Sequence, residues 1–253
     1  METTRQGAAV NARGIGVKGP RGWAFRGVDI AAEPGSLIAV EGPSGSGRTC
    51  LLLALTGRMR ITEGHATVAG LPLPKRMGSI RGRTAIAHVP GIADLEPALT
   101  VAEHLQEQAL LGHRGTPLWG RRRKEATRAR VDAALAAAGL DPDTLPKGLR
   151  TCVRDLERLE ALRLSVALAV MHQPHLLAVD DLDLKLSADE RAAAWQMLRD
   201  VALTGTTVAA VASDAPADAL IVSTAAPATT PHTRQPETHE EEAAHAFAET
   251  GRA

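Results

Sequence analysis

Apolar and polar residues alternate along this chain in short runs of the kind that form buried strands. Runs of four to eight apolar residues bounded by Gly, Pro or charged residues are typical of such strands. The longest ones end abruptly at a turn residue or a carboxylate, as at Pro90 and Asp180. Strands are therefore predicted at residues 23–25, 28–30, 37–40, 64–70, 84–90, 175–181, 206–212 and 219–222.

Helical patterns lie between these strands, and several begin with recognisable capping residues. Thr100 precedes a helix to about Leu111, with Glu103 three positions later, which is the spacing of a capping box. Ser187 and Glu190 repeat that spacing before a helix to about residue 201. Further helices are predicted at 50–55, 121–139 and 155–172.

The two ends of the chain lack this patterning. Residues 1–11 are polar, and residues 223–253 consist mainly of Ala, Thr, Pro, His and Glu. Segments of this kind bury too little apolar surface to repay the entropy of ordering them. The sequence therefore predicts one folded unit at residues 12–222 between a disordered N-terminus and a disordered tail.

Composition narrows the class of protein. The formal net charge is zero, which argues against nucleic acid as a partner. The two cysteines have no metal or disulfide spacing, which favours a reduced, cytosolic setting. No run of about 18 apolar residues could cross a bilayer. Work at a membrane would therefore require a separate protein that supplies the span.

A glycine-rich segment between a strand and a helix carries the clearest chemistry. It is called here the glycine loop, and its residues are Gly42, Pro43, Ser44, Gly45, Ser46, Gly47, Arg48 and Thr49. In this context the glycines turn backbone N–H groups inward and the helix N-terminus adds a positive end, so the loop can enclose a polyphosphate. The alternative is a glycine-rich turn that binds nothing.

Arg48 is the one position that departs from the pattern GxxxxGK[ST]. Arginine keeps the positive charge, but its planar guanidinium is bulkier than the ammonium group of lysine. Of the 29 lysines and arginines, only five are lysines, so a general drift toward arginine explains the exchange. We expect phosphate binding to survive in weakened form, with turnover more strongly affected.

Several motifs together resemble the nucleotide-binding subunit of an ATP-binding cassette (ABC) transporter. They are the glycine loop, the run Gln173–Asp181 with its proline turn, residues 27–35, and residues 99–105. The resemblance implies an α/β P-loop NTPase with a RecA-like core, a small antiparallel β layer and a helical subdomain at about 96–160. It also implies Mg²⁺ and ATP as cofactors and a second nucleotide-binding subunit. A separately encoded membrane-spanning partner and a cytoplasmic location at the inner face of the membrane follow from it too.

The resemblance further assigns roles to single residues. Thr49 would be a direct Mg²⁺ ligand, and Asp180 would hold a Mg²⁺-bound water; otherwise Asp180 only caps a loop. Asp181 falls on the catalytic glutamate and is one methylene shorter. Other positions depart from the family pattern: Gly91 replaces a glutamine, Glu157 a signature serine, Ser187 an aspartate and Ser213 a histidine. Trp23 is either an adenine-stacking residue or part of the core.

These departures leave three functions open. The first is an ATP-binding subunit of a transporter or membrane complex, with weak or partner-dependent hydrolysis. The second is a nucleotide-binding regulatory module without catalysis. The third is a P-loop kinase, which the strand ending at Asp181 and the helical insert after the third strand argue against.

Overall fold

A computed structural model describes residues 7–111, 121–182 and 185–225 of the chain. Its strands form two sheets. The strands are β1 Val10–Gly19, β2 Gly22–Ala32, β3 Leu37–Glu41, β4 Glu63–Val68, β5 Leu71–Leu73, β6 Thr84–Ala87, β7 Leu176–Val179, β8 Thr207–Val211 and β9 Leu220–Ser223. The helices are α1 Arg48–Leu55, α2 Met77–Arg81, α3 Val101–Leu111, α4 Arg121–Ala137, α5 Arg158–Val170 and α6 Ala188–Leu203.

One sheet is parallel, with the strand order β6-β7-β8-β3-β9. All four residues of β7 and all five of β8 are buried, as expected for strands covered on both faces. β3 lies between β8 and β9, so the glycine loop leaves the sheet from an interior strand. This places the loop and the two carboxylates after β7 at the same, carboxyl-terminal edge.

The other sheet is antiparallel, with the order β2-β1-β4-β5. Strand β2 is longer than predicted, because residues 23–25 and 28–30 belong to one strand of 11 residues. The pairing of β1 with β2 contains register shifts, and these allow one continuous strand where the sequence pattern is interrupted between residues 25 and 28. Short β5 and α2 were not predicted at all.

Two hydrophobic cores lie on opposite faces of the parallel sheet. One joins α3–α6 to the face that includes Leu177 and Val179. The other packs α1 between the opposite face and the antiparallel layer, with Phe25 and Leu52 among its members. Because α1 is enclosed on both sides, its N-terminus and the glycine loop are held by two layers of structure.

The predicted helix starts are mostly confirmed. The Glu103 carboxylate accepts a hydrogen bond from the Thr100 N–H at 2.7 Å, and the Thr100 hydroxyl accepts one from the Glu103 N–H at 3.2 Å. Ser187 caps α6 through the reciprocal pair with Glu190. α5 begins three residues later than predicted, because residues 153–155 form a separate 3₁₀ turn.

The ends of the fold lie outside the predicted boundaries. β1 begins at Val10, and the Ala8 N–H donates to the His175 carbonyl at 2.9 Å, so the fold starts before residue 12. β9 continues through Ser223, and Thr224 is buried. The prediction of disorder is therefore wrong for residues 8–11, 223 and 224. Residues 1–6 and 226–253 lie outside the described part of the chain.

Candidate functional site

The glycine loop connects β3 to α1 through three glycines with positive φ. Gly42, Gly45 and Gly47 have φ values of 150°, 81° and 83°, which residues with a side chain rarely adopt. Gly47 is the N-cap of α1 and supplies no side-chain cap, and the first turn contains no acidic residue. Backbone N–H groups at the start of α1 are therefore available to an anionic ligand.

Close packing against the antiparallel layer also requires a glycine at position 47. A Cβ atom at Gly47 would overlap the carbonyl group of Ala24 and lie 3.2 Å from the Phe25 Cβ. β2 therefore packs directly against the end of the glycine loop. The close packing fixes the loop against the layer and explains the absence of a side chain at this position.

Thr49 and Asp180 meet across the loop. The Thr49 hydroxyl donates to Asp180 Oδ2 at 2.5 Å, although the two residues are 131 positions apart. Asp180 follows β7 and is only 2% exposed. Burial raises the pKa of its carboxyl group, while the Thr49 hydrogen bond and, more weakly, Arg48 oppose that rise. A hydroxyl oxygen beside a carboxylate is a donor set that suits a hard cation such as Mg²⁺.

Asp181 lies next to this pair in a strained conformation. Its φ is +46°, and its N–H donates to Asp180 Oδ1 at 3.0 Å. Left-handed conformations at non-glycine residues cost about 1–3 kcal/mol and cluster at functional sites. The bond fixes the Asp180 carboxylate against the backbone of Asp181, which is half-buried just after β7.

His88 is a site residue that sequence reasoning missed. Ala87 pairs with Val179, so His88 and Asp180 follow neighbouring strands at equivalent positions. His88 is half-buried with φ +48°. Burial lowers the pKa of its imidazole, and the nearby carboxylates of Asp181, Asp94 and Asp180 oppose that fall. The only available signal was its position at a strand end.

The start of α5 differs from the start of α1. Glu157 is the N-cap and forms a capping box with Glu160. The Glu160 carboxylate accepts from the Glu157 N–H at 2.8 Å. The Glu160 carboxylate therefore lies at the start of its own helix, and the side chains of Glu157 and Glu160 together place negative charge at this N-terminus.

The other substituted positions are explained by local structure. Gly91 has φ +75°, and its N–H donates to Asp94 Oδ2 at 2.7 Å, which closes a tight turn. Ser187 caps α6, so its hydroxyl already has a structural role. Ser213 is exposed just beyond β8.

Trp23 does not belong to the core, so that alternative is wrong. Its side chain is 41% exposed, and it pairs with Lys18 on the face of the layer opposite to Val17 and Phe25. The Lys18 Nζ and the Arg26 Cζ lie 5.5 Å and 4.7 Å from the centre of its ring. Phe25, which packs at Gly47, faces the glycine loop instead.

Thr224 is a second residue that sequence reasoning missed. Its hydroxyl lies 2.6 Å from the Ser46 hydroxyl in the glycine loop, 178 positions away. The prediction had assigned it to a disordered tail because of its composition. Nothing in the local sequence indicates a contact over this distance.

Two findings bear on metal binding and membrane insertion. Within residues 7–111, 121–182 and 185–225, no group of three or more His, Cys, Asp and Glu side chains could hold a metal by itself. In the same part of the chain, no helix has the length and hydropathy needed to cross a membrane.

Comparison with known proteins identifies relatives of this chain. A family model described as ABC transporter matches residues 25–183. The Nod factor export ATP-binding protein I of Cupriavidus pinatubonensis is 28% identical over 184 residues, which are 72% of this chain and 51% of that protein. The cytochrome c biogenesis ATP-binding export protein CcmA of Cupriavidus necator is 31% identical over 190 residues, 75% of this chain and 76% of that protein. The chain thus spans about half the length of the Nod factor proteins it matches.

Solved structures share its fold. The ATP-binding cassette MJ0796, in a dimeric post-hydrolysis state bound to ADP and phosphate, superimposes with a TM-score of 0.63 at 22% identity, over 81% of this chain and 88% of that one. The cbiO1 subunit of Clostridium perfringens, part of the complex cbiONQ, gives 0.66 at 17% identity, over 83% and 80%. The fold predicted from the sequence, a P-loop NTPase with an antiparallel β layer and helices around a parallel sheet, is confirmed.

Proposed function

The chain belongs to the ABC transporter family, and we propose that it is an ATP-binding subunit that binds Mg-ATP at the glycine loop. The observation that carries this proposal is the contact between Thr49 and Asp180 beside the uncapped N-terminus of α1. It joins a phosphate-binding element to an oxygen donor set for Mg²⁺. A glycine-rich turn without a ligand would have no need of either feature.

The polyphosphate is held by backbone groups of the loop and by Arg48. The N–H groups at the start of α1 donate to phosphate oxygens, and the helix dipole favours the negative charge there. Arg48, at the first position of α1, adds a full positive charge. Its guanidinium forms forked hydrogen bonds instead of acting as the point charge of a lysine. We therefore expect nucleotide affinity in the micromolar to millimolar range.

Thr49 and Asp180 hold the cation. The Thr49 oxygen would be a direct ligand, and Asp180 would act through a water on the metal; its hydrogen bond keeps the Thr49 hydroxyl oriented. Mg²⁺ held there would neutralise charge on the phosphate oxygens. The described residues contain no group of three or more His, Cys, Asp and Glu that could hold the metal alone, so we propose that the nucleotide and water supply the remaining ligands.

Hydrolysis is proposed to be weak in this chain alone. Asp181 orients the attacking water, but its carboxylate is one methylene shorter than a glutamate. A displacement of about 1 Å in such a group can cost about 10²-fold in rate. His88 faces the same carboxylates and supplies a polar group at this edge of the sheet. Neither residue replaces a γ-phosphate contact that a second subunit would deliver.

The N-terminus of α5 is poorly suited to deliver that contact in a homodimer. The Glu160 carboxylate accepts the Glu157 N–H, and the two glutamates surround the helix start with negative charge. A second nucleotide-binding subunit with an uncharged helix start would complete the site. Turnover would then depend on that partner.

A membrane-spanning protein encoded separately is the proposed partner. The relatives in Cupriavidus are named as export ATP-binding proteins, and cbiO1 is described as part of a transporter complex. By analogy, this chain would sit in the cytoplasm at the inner face of the membrane. Nucleic acid is not proposed as a partner, because the net charge is zero.

A regulatory module without catalysis is the second candidate. The acidic cap of α5 favours it, because such a cap would oppose closure over a second phosphate in any pairing. In that case ATP binding would control docking without being consumed. Phosphate release that stays at background with every co-purified partner would favour this candidate over the first.

Calorimetric titration with Mg-ATP tests the proposal. The unaltered chain is expected to bind ATP and ADP at or below millimolar concentration. Thr49→Ala should lose the dependence on Mg²⁺, whereas Thr49→Ser keeps the hydroxyl and serves as the matched control. The absence of binding of either nucleotide to the unaltered chain at millimolar concentration would refute the proposal.

A further inference from the structure

Thr224 contacts the glycine loop at both of its ends. Its N–H donates to the Glu41 carbonyl at 2.9 Å, immediately before the loop. Its hydroxyl lies 3.2 Å from the same carbonyl and 2.6 Å from the Ser46 hydroxyl, immediately before Gly47. Thr224 is only 3% exposed. One residue after β9 therefore bridges the entry and the exit of the loop.

The hydrogen atoms of these hydroxyls can be assigned in only one way if both contacts are bonds. Thr224 has one hydroxyl hydrogen, which it donates to the Glu41 carbonyl because that oxygen can only accept. The short contact then requires the Ser46 hydroxyl to donate to Thr224 Oγ1. The Ser46 N–H donates to the Pro43 carbonyl at 3.1 Å, so Ser46 is fixed through both its backbone and its side chain.

Gly42 is part of the same arrangement. A Cβ atom at Gly42 would lie 2.5 Å from Thr224 Oγ1 and 2.6 Å from Ser46 Oγ. The missing side chain thus makes room for the two hydroxyls to meet behind the loop. These contacts use the side chain of Ser46 and leave the backbone N–H groups at the start of α1 available to a ligand.

We propose that Thr224 is a positioning residue that holds the glycine loop in its phosphate-binding conformation before nucleotide arrives. A loop that is already ordered loses less conformational entropy on binding, and its affinity is higher for that reason. The inference rests on the proposed nucleotide binding at this loop. The inference gives the end of β9 a role in positioning the glycine loop, and β9 lies beyond the residues that match the family model.

The effect should be shared equally by ADP and ATP. Such loops surround the α- and β-phosphates, which both nucleotides carry. Thr224 touches neither Asp180 nor Asp181 in the described contacts. A change at Thr224 should therefore alter the Kd of both nucleotides by the same factor and leave kcat at saturating ATP unaltered.

Thr224→Val tests the proposal, because valine keeps the branched shape and removes the hydroxyl. Losing two hydrogen bonds should raise the Kd for ADP and for ATP by about threefold to tenfold. Thr224→Ser should restore wild-type affinity. Ser46→Ala should weaken binding similarly, and the double variant should be no worse than the worse single variant, because both remove one shared contact.

Thr206→Val is the matched control. Thr206 is equally buried at 3% exposed, and its hydroxyl donates only to the Pro174 carbonyl at 3.3 Å, away from the loop. This variant should lose stability without a change in nucleotide Kd. Equal Kd values for Thr224→Val and wild type, or strictly additive effects of Ser46→Ala and Thr224→Val, would overturn the inference.

Hydrogen–deuterium exchange of nucleotide-free protein separates this inference from the proposed function. Amides of residues 44–48 should exchange about threefold to tenfold faster in Thr224→Val than in wild type and in Thr206→Val. Unchanged exchange would overturn the positioning role even if wild type binds ATP. Faster exchange in Thr224→Val, together with a wild-type protein that binds no nucleotide, would support the positioning role and refute the proposed function.

Discussion

The N-termini of α1 and α5 use the same backbone geometry in opposite ways. α1 begins at Gly47 without a side-chain cap and without an acidic residue in its first turn. α5 begins at Glu157 with a capping box completed by Glu160. Free N–H groups at a helix start attract anions, and capped ones do not. One helix start is open to a phosphate, and the other is flanked by two carboxylates of its own helix.

The difference comes from the N-cap and N3 residues. In α1 these are Gly47 and Cys50, which cannot reach back to the helix start with a carboxylate. In α5 they are two glutamates, which place two carboxylates beside the helix start. The N–H groups at the start of α1 have no such neighbours and are left for a ligand. Phosphate binding is therefore proposed at α1 and not at α5.

Closing the start of α1 should have the largest effect. Gly47→Ala would force a Cβ into the Ala24 carbonyl and should abolish nucleotide binding. Gly45→Ala is the matched control for stability, because its φ of 81° is almost the same as 83° and a Cβ there meets open space. Gly47→Ala should be less stable than Gly45→Ala by about 1–3 kcal/mol. Equal melting temperatures would mean that β2 does not press on the loop.

Neutralising the buried carboxylate beside α1 should separate stability from function. Burial raises the pKa of Asp180, so its contribution to stability is fully present at acid pH and is lost as pH rises through the folded-state pKa. Asp180→Asn should therefore raise the melting temperature of nucleotide-free protein at pH 7 by about 2–4 °C. The same variant should lose Mg²⁺-dependent stabilisation by ATP.

The control is the pH dependence of the difference in melting temperature between Asp180→Asn and wild type. As the pH falls through the folded-state pKa of Asp180, the wild-type carboxyl becomes neutral like the amide. The gain in melting temperature should shrink accordingly. A gain that is constant with pH, or a variant that melts below wild type at pH 7, would contradict the assignment of Asp180 as a destabilising buried charge.

Opening α5 should have a smaller effect that appears only in combination. Glu157→Ser replaces one carboxylate by an N-cap hydroxyl, and Asp181→Glu restores the missing methylene. Each alone should change phosphate release little, while the pair should gain about tenfold, more than the sum of the single effects. Arg48→Lys should tighten nucleotide binding slightly and leave the rate low. Purely additive effects would show that the two positions do not act in one composite site.

Removing Trp23 should have the smallest effect. Its side chain lies on the outer face of the antiparallel layer. Trp23→Ala should therefore change the Kd for ATP by less than about twofold, which is the usual size of the effect of a surface substitution. Phe25→Ala, on the inner face at 3% exposed, should cost about 3–5 kcal/mol of stability. A strong loss of ATP affinity in Trp23→Ala would identify an adenine contact that the packing does not indicate.

The open helix start was predictable from the sequence because its signal is local. The glycine spacing, the preceding strand and the following apolar helix all lie between Leu37 and Leu55. Thr49 could be assigned to Mg²⁺ from that spacing alone. Its contact with Asp180 agrees with the resemblance, which had assigned both residues to the same cation.

The closed helix start and the Thr224 contact were not predictable. The sequence shows only that Glu157 replaces a signature serine, and the capping box there is hard to recognise because it begins with glutamate instead of serine or threonine. Thr224 lies in a segment whose composition indicates disorder, and its partner Ser46 is 178 residues away. Long-range contacts between single hydroxyls leave no periodic pattern. Backbone strain at His88 and Asp181 likewise has no local sequence signal.

Phosphate release should be measured for the purified wild-type chain alone, at a Mg-ATP concentration that calorimetry shows to be saturating. We propose that α1 binds the nucleotide and that the acidic start of α5 cannot complete the site of a second copy. Bound ATP should then be hydrolysed far more slowly than about 1 s⁻¹, the lower end of the ordinary range for enzymes. Turnover at about 1 s⁻¹ or faster, with no other subunit present, would contradict it.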